Sequence, residues 1–153
     1  MRTEHNMCEI SFLAVSENES FARMAATAFV MPLNPTLEEV ADIKTAISEA
    51  VTNAILHGYN ENGTGIVRMR CEREENLLSF TVSDEGVGIE NVEKAMEPLF
   101  TSKPELERSG MGFSFMEAFM DSLKVISEPG KGCTVVMEKR IGTQPDKASA
   151  DVL

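Results

Sequence analysis

Glu49 and Asn53 stand four residues apart in the stretch from Ser48 to Asn60, SEAVTNAILHGYN. On a helix that spacing makes them neighbours, one turn apart. Asparagine is a weak helix former because its side chain competes for backbone groups, so one deep in a helical pattern invites a reason. Its amide oxygen can give Mg²⁺ one neutral ligand while phosphates and water fill the other positions, the habit of an ion that keeps its waters. Glu49 can accept or orient the proton of an attacking hydroxyl. A solvated polar pair would look the same taken alone. Glycine-bearing segments further along supply what a nucleotide site would still lack.

Asp84 ends an apolar strand pattern and runs into Gly86 and Gly88. A carboxylate there can accept the amino group of adenine, and glycines let backbone approach a flat ring. An ordinary Asp-Gly turn has the same letters. Ser109-Gly110-Met111-Gly112 opens a helical pattern, where exposed N–H groups and the helix dipole suit phosphate oxygens; a flexible loop start is the alternative. Gly130 to Thr134, GKGCT, enters the last strand, where Thr134 could reach Asp84 or simply close a hairpin.

The elements that must position these groups are legible from periodicity. Thr36 and Glu39 have capping-box spacing, and Val40, Ile43, Ile47, Ala50, Val51, Ala54 and Ile55 share one stripe, with Glu49 and Asn53 on the other side. Before that helix, Glu9 to Ser16 reads as a strand that could sit at an edge. A helix follows from Ser16 or Asn18 to about Val30, with Phe21, Met24, Ala25 and Ala28 as its apolar stripe and Arg23 pointing away into solvent. Ile66 to Arg73 and Leu77 to Ser83 form a hairpin with one packed and one wet face. A short helical piece is expected near Val92 to Met96, then a long loop from Pro98 to Gly110. A helix from Gly112 carries Phe113, Met116, Ala118 and Phe119 on its apolar side. Strands from Leu123 to Ser127 and Cys133 to Arg140 close one domain over residues 1–142, and residues 143–153 read as a disordered polar tail.

Composition narrows the class. A chain of 153 residues with 42% hydrophobic content suits one globular core. The net charge of −11 argues against direct nucleic-acid binding, which needs clustered Lys and Arg. Three scattered cysteines suit thiols in a reducing cytoplasm rather than a disulfide framework or a zinc site. No apolar run approaches membrane-spanning length. A P-loop, a Rossmann glycine motif, the eukaryote-type kinase elements, a Ser/His/Asp set and an HExxH helix are all missing.

The motif order (E-x-x-x-N helix, D-x-G-x-G, G-x-G before a helix, a late G-x-G/T strand) resembles the GHKL ATPase superfamily. More closely, ENESFAR at Glu17 to Arg23, SEAVTNAILHGY, SDEGVGI at Ser83 to Ile89 and EPLFTSKPELERSGMGFSFMEAFMD at Glu97 to Asp121 resemble the anti-sigma factor serine-protein kinases of endospore-forming bacteria. That resemblance implies a two-layer α/β sandwich with a mixed, largely antiparallel sheet, helices on one face, and ATP with Mg²⁺ under a lid. It implies a homodimer that binds a sporulation sigma factor, sigma-F, and phosphorylates a serine of an anti-anti-sigma protein. Residue by residue, Glu49 becomes the base or orienter and Asn53 the Mg²⁺ ligand. Asp84, Gly86, Gly88 and Thr134 form the adenine site. Thr101, Ser102 and Lys103 fall in the lid, Arg108 stands by the terminal phosphates, and Ser109, Gly110, Met111, Gly112 and Phe113 line the phosphate loop. His57 is expected to be structural or a nearby polar contact.

Other classes fit less of the chain. A histidine-kinase catalytic domain would need a separate histidine protein, since only His5 and His57 are present. A module using nucleotide as a structural ligand stays open, though Glu49 beside Asn53 argues against it. A general-stress anti-sigma kinase would share the chemistry and differ in partners. Arg108, two residues before Gly110, is placed to tie the long loop to a γ-phosphate and so to sense ATP against ADP.

Overall fold

The computed structural model describes residues 4–59, 64–88 and 112–142. Five strands form one sheet: β1 (His5–Leu13), β2 (Ile66–Glu74), β3 (Leu77–Asp84), β4 (Ser122–Ser127) and β5 (Cys133–Arg140). Their order is β1-β2-β3-β5-β4. Every described pairing is antiparallel, so the parallel component expected of a mixed sheet is not found among the described residues. β1 is an edge, as its weak alternation suggested, and it starts four residues before the expected Glu9.

Three helices cover one face: α1 (Glu17–Val30), α2 (Leu37–Asn53) and α3 (Gly112–Phe119). α2 lies between the other two. Its start is fixed by the Thr36–Glu39 capping box: Glu39 N–H donates to Thr36 Oγ1 at 3.1 Å and Thr36 N–H to Glu39 Oε1 at 2.9 Å. Ile43, Ile47, Ala50, Val51, Ala54 and Ile55 are buried as the stripe required, together with Ala46; Val40 is half-buried. They meet Val67, Met69, Cys71, Leu78, Phe80, Val82, Val135 and Met137 of the sheet. Each fully buried large side chain is worth about 1.5–3 kcal/mol, far above the tenths that propensity adds per residue. Packing against the sheet therefore decides where α2 sits.

α1 differs from its expected orientation. The buried positions are Ala22, Ala26 and Val30, which recur every four residues, while Phe21 and Met24 are 55% and 60% exposed. Ala28 is exposed and Ala25 half-buried. Small residues let α1 approach the core closely, and the large apolar ones form a second stripe, Phe21, Met24, Ala28 and Met31, on the outside. Arg23 is not simply solvated either: its guanidinium donates to Glu19 Oε1 at 3.0 Å and to Ser48 Oγ at 3.1 Å. In α3, Met116 is buried, as is Met120 just after the helix, and Ala118 is exposed, against its assignment to the packed side.

The expected helix near Val92 to Met96, the Pro98 to Gly110 loop and the 143–153 tail lie outside the described residues. Among the described residues no helix is long and apolar enough to cross a membrane.

Candidate nucleotide site

α2 ends in a π-helical turn, Ala54–Gly58, directly after Asn53. Such turns widen a helix by one residue per turn and concentrate at functional sites. Glu49 and Asn53 are both half-buried on the flank of α2 that also carries Asp42. Asp42 lies 3.6 Å from Lys139 Nζ, which donates to the Phe119 carbonyl at 2.8 Å. That flank therefore faces α3. The Asn53 carboxamide makes no hydrogen bond among the described residues. A half-buried neutral oxygen of this kind fits one position of a Mg²⁺ shell completed by phosphates and water.

Asp84 closes β3 with its side chain on the helix-covered face, in step with Val82 and Phe80. Its Oδ1 accepts from Gly86 N–H at 2.9 Å, which folds the chain into a tight turn. Burial raises its pKa, outweighing hydrogen bonds from the Gly86 and Cys133 amides that lower it. Among the described residues no cation pairs with it, so the donor this carboxylate suits is a neutral N–H, such as an exocyclic amine.

The turn after Asp84 and the turn between β4 and β5 fit together through glycine. Gly88 has φ +76°, and a Cβ there would run into the Glu128 carbonyl. Gly132 has φ +87°, and a Cβ there would strike the Asp84 carbonyl. Gly130 N–H donates to the Val87 carbonyl at 2.6 Å. Only glycine meets both the backbone angle and the closeness. Gly88 thus shapes the turn that carries the carboxylate, and its contact is with the neighbouring turn.

The register corrects the expected partner of Asp84. Thr134 pairs with Ser83, and Cys133 pairs with Asp84. Successive side chains leave opposite faces of a strand, so Thr134 lies on the face away from Asp84. Cys133, half-buried against the core, stands beside the carboxylate. Burial and then the Asp84 charge push the Cys133 thiol up to about 11.

Tyr59 was not singled out from the sequence. Its hydroxyl accepts from Glu85 N–H at 2.6 Å and donates to the Ile66 carbonyl at 2.8 Å, so it touches the turn that carries Asp84. A lone tyrosine before a polar loop gives no periodic signal; its only cue was adjacency to the Glu49–Asn53 helix. Cys133 was missed because register between strands fifty residues apart is not written in either strand.

Gly112 and Phe113 begin α3, with Phe113 half-buried against the core. Thr101, Ser102, Lys103, Arg108, Ser109, Gly110 and Met111 lie outside the described residues. His57 falls in the π-helical turn.

A helix bearing Glu49 and Asn53 over an antiparallel sheet that ends in a half-buried Asp84 suits a nucleotide-binding ATPase domain. Residues 13–139 match the family described as the histidine kinase-like ATPase domain. The anti-sigma F factor of Clostridium acetobutylicum is 57% identical over 141 residues, covering 92% of this chain and 98% of the relative. The anti-sigma F factor of Clostridium beijerinckii is 54% identical over 135 residues, covering 88% of this chain and 94% of the relative. A solved structure of the RsbU and RsbW domains of a Mycobacterium tuberculosis protein shares the fold, with a TM-score of 0.63 at 18% identity, covering 89% of this chain and 32% of that one. The chain belongs to the histidine kinase-like ATPase family and, within it, to the anti-sigma F factors.

Proposed function

We propose that this chain is a cytoplasmic anti-sigma factor that binds the sporulation sigma factor sigma-F, keeps it from RNA polymerase core, and uses ATP to phosphorylate a serine of an anti-anti-sigma protein. The observation that carries the reading is the pairing of Glu49 and Asn53 on the α3-facing flank of α2, together with half-buried Asp84, in a chain 57% identical to an anti-sigma F factor.

In this account Asp84 accepts the adenine amino group, and the glycine-shaped turn around Gly86 and Gly88 lets the ring lie against backbone. Asn53 holds Mg²⁺ by its amide oxygen; bound Mg²⁺ supplies charge neutralisation at the phosphates. Glu49 orients the acceptor serine and takes its proton as the phosphoryl group leaves ATP. Gly110, Met111 and Gly112 offer backbone N–H groups to phosphate oxygens, with Ser109 and Phe113 flanking them. Thr101, Ser102 and Lys103 belong to the lid, and Arg108 contacts the γ-phosphate. Thr134, on the other face of the sheet, is not assigned an adenine contact.

A homodimer is part of the proposal. The outer stripe of α1 and the turn after it leave Phe21, Met24 and Met31 about half exposed, and covering the exposed half of each would add roughly 1 kcal/mol. Among the described residues, β1 offers an unpaired strand edge.

The test is the affinity of the purified protein for sigma-F and for the anti-anti-sigma protein, measured with ATP and with ADP. Affinities that change with nucleotide, and a contrast flattened by Arg108→Ala, support the account. Failure to bind sigma-F in either nucleotide would overturn it.

A further inference from the structure

Tyr59 is the one tyrosine of the chain, and three separate segments meet at it. Its amide donates to the Ala54 carbonyl at 3.1 Å, closing the π-helical turn that follows Asn53. Its ring lies against Gly65, where a Cβ would collide with the aromatic carbons. Its hydroxyl donates to Ile66 at the start of β2 and accepts from Glu85 N–H at 2.6 Å. Glu85 sits between Asp84 and Gly86, the two residues whose mutual hydrogen bond sets the turn.

We propose that Tyr59 is a positioning residue for the nucleotide: its hydroxyl fixes the Asp84 turn relative to the end of the helix that carries Glu49 and Asn53. The inference rests on the reading of Asp84 as the adenine acceptor and extends it to a residue outside the contact set. From the strand side, the turn is held by Gly132 packing on the Asp84 carbonyl. From the side of the α2 end, among the described residues, the hydrogen bond to residues 84–88 comes from Tyr59 alone. An ATP molecule held at its base by Asp84 and at its phosphates by Asn53 needs those two points at a set separation. The phenol is the link between them.

The geometry separates this role from packing. The ring supplies the contact with Gly65 and the core, and the hydroxyl supplies the link. Both hydroxyl bonds lie at the protein surface. In a phenylalanine variant water can therefore satisfy Glu85 N–H and the Ile66 carbonyl, so the fold survives while the turn loses its fixed position. Gly65→Ala makes the complementary change: the hydroxyl is kept, but the displaced ring carries it away from its two partners.

The experiment measures ATP and ADP binding by calorimetry, phosphotransfer kinetics and thermal unfolding for wild type, Tyr59→Phe and Gly65→Ala. For Tyr59→Phe the expected result is Kd raised about tenfold for ATP and ADP alike, as befits two hydrogen bonds. KM for ATP should rise by a similar factor with kcat kept, and Tm should shift by only a few degrees. Gly65→Ala should move Kd in the same direction. In the background of Asp84→Asn, where the carboxylate anchor is already gone, Tyr59→Phe should weaken binding no further. Wild-type nucleotide affinity in Tyr59→Phe overturns the proposal, as does a large drop in Tm with KM for ATP unchanged. If the wild type itself fails to bind ATP, the nucleotide site falls instead.

Discussion

Asp84 and Cys133 face each other at the end of the β3–β5 ladder, with the Cys133 thiol beside the Asp84 carboxylate. The influence runs one way: the Asp84 charge makes the Cys133 thiol harder to ionise. Burial lifts both pKa values, and the carboxylate charge lifts the thiol further.

Asp84→Asn should separate binding from stability. A folded carboxyl whose pKa is raised holds its proton to higher pH than the unfolded one. Between the unfolded and folded values the native state is the more protonated, so stability falls as pH rises, and the penalty is complete above the folded value. Asparagine removes the penalty and can still accept from Gly86 N–H. Urea unfolding from pH 3 to pH 8 should show the variant gaining on wild type as pH rises, while calorimetry finds ATP binding weakened but measurable. A variant that binds ATP normally would remove Asp84 from the adenine site.

Cys133 should be a slow thiol at neutral pH, because only a small fraction is thiolate below a pKa of about 11. Alkylation by iodoacetamide, followed by peptide mapping, should accelerate as pH approaches that value. Asp84→Asn removes the second of the two causes and should speed alkylation at pH 9. Equal rates in wild type and variant would mean that the pair does not interact.

Asn53→Ala and Glu49→Gln should fail differently. The first removes a Mg²⁺ ligand from a half-buried position off the core, so Mg²⁺-dependent ATP affinity should drop with the fold intact. The second keeps shape and loses the proton acceptor, so ATP should bind near normally while transfer slows by roughly 10²-fold. Titrations with and without Mg²⁺ and single-turnover phosphotransfer distinguish the two. Reversed phenotypes would exchange the assigned roles.

Gly132→Ala and Gly130→Ala share a positive φ and differ in space. Gly130, at φ +80°, has nothing near its missing Cβ, whereas Gly132, at φ +87°, would strike the Asp84 carbonyl. Gly130→Ala should lower stability by roughly 1–2 kcal/mol from backbone strain alone. Gly132→Ala should cost more and also weaken ATP binding, since it displaces the Asp84 turn. Urea midpoints with equal m-values decide the comparison.

Much of this arrangement was written locally. The Thr36–Glu39 box, the α2 stripe and the alternation of β2 and β3 all follow from neighbours in sequence, and all appear where expected. α1 was misread because Phe21 and Met24 outweigh Ala22 and Ala26 in apolar size, yet close helix packing favours the small residues. The Asp84 partner was misread because Thr134 and Cys133 adjoin, and one step of register exchanges the faces. Tyr59 joins segments that only the fold brings together.

The central claim is tested most directly by incubating the protein with γ-labelled ATP, Mg²⁺ and the anti-anti-sigma protein, then identifying the labelled residue. The account predicts acid-stable phosphoserine on the anti-anti-sigma protein, slowed roughly 10²-fold by Glu49→Gln. ATP bound without transfer, or acid-labile phosphohistidine on any protein present, would contradict it.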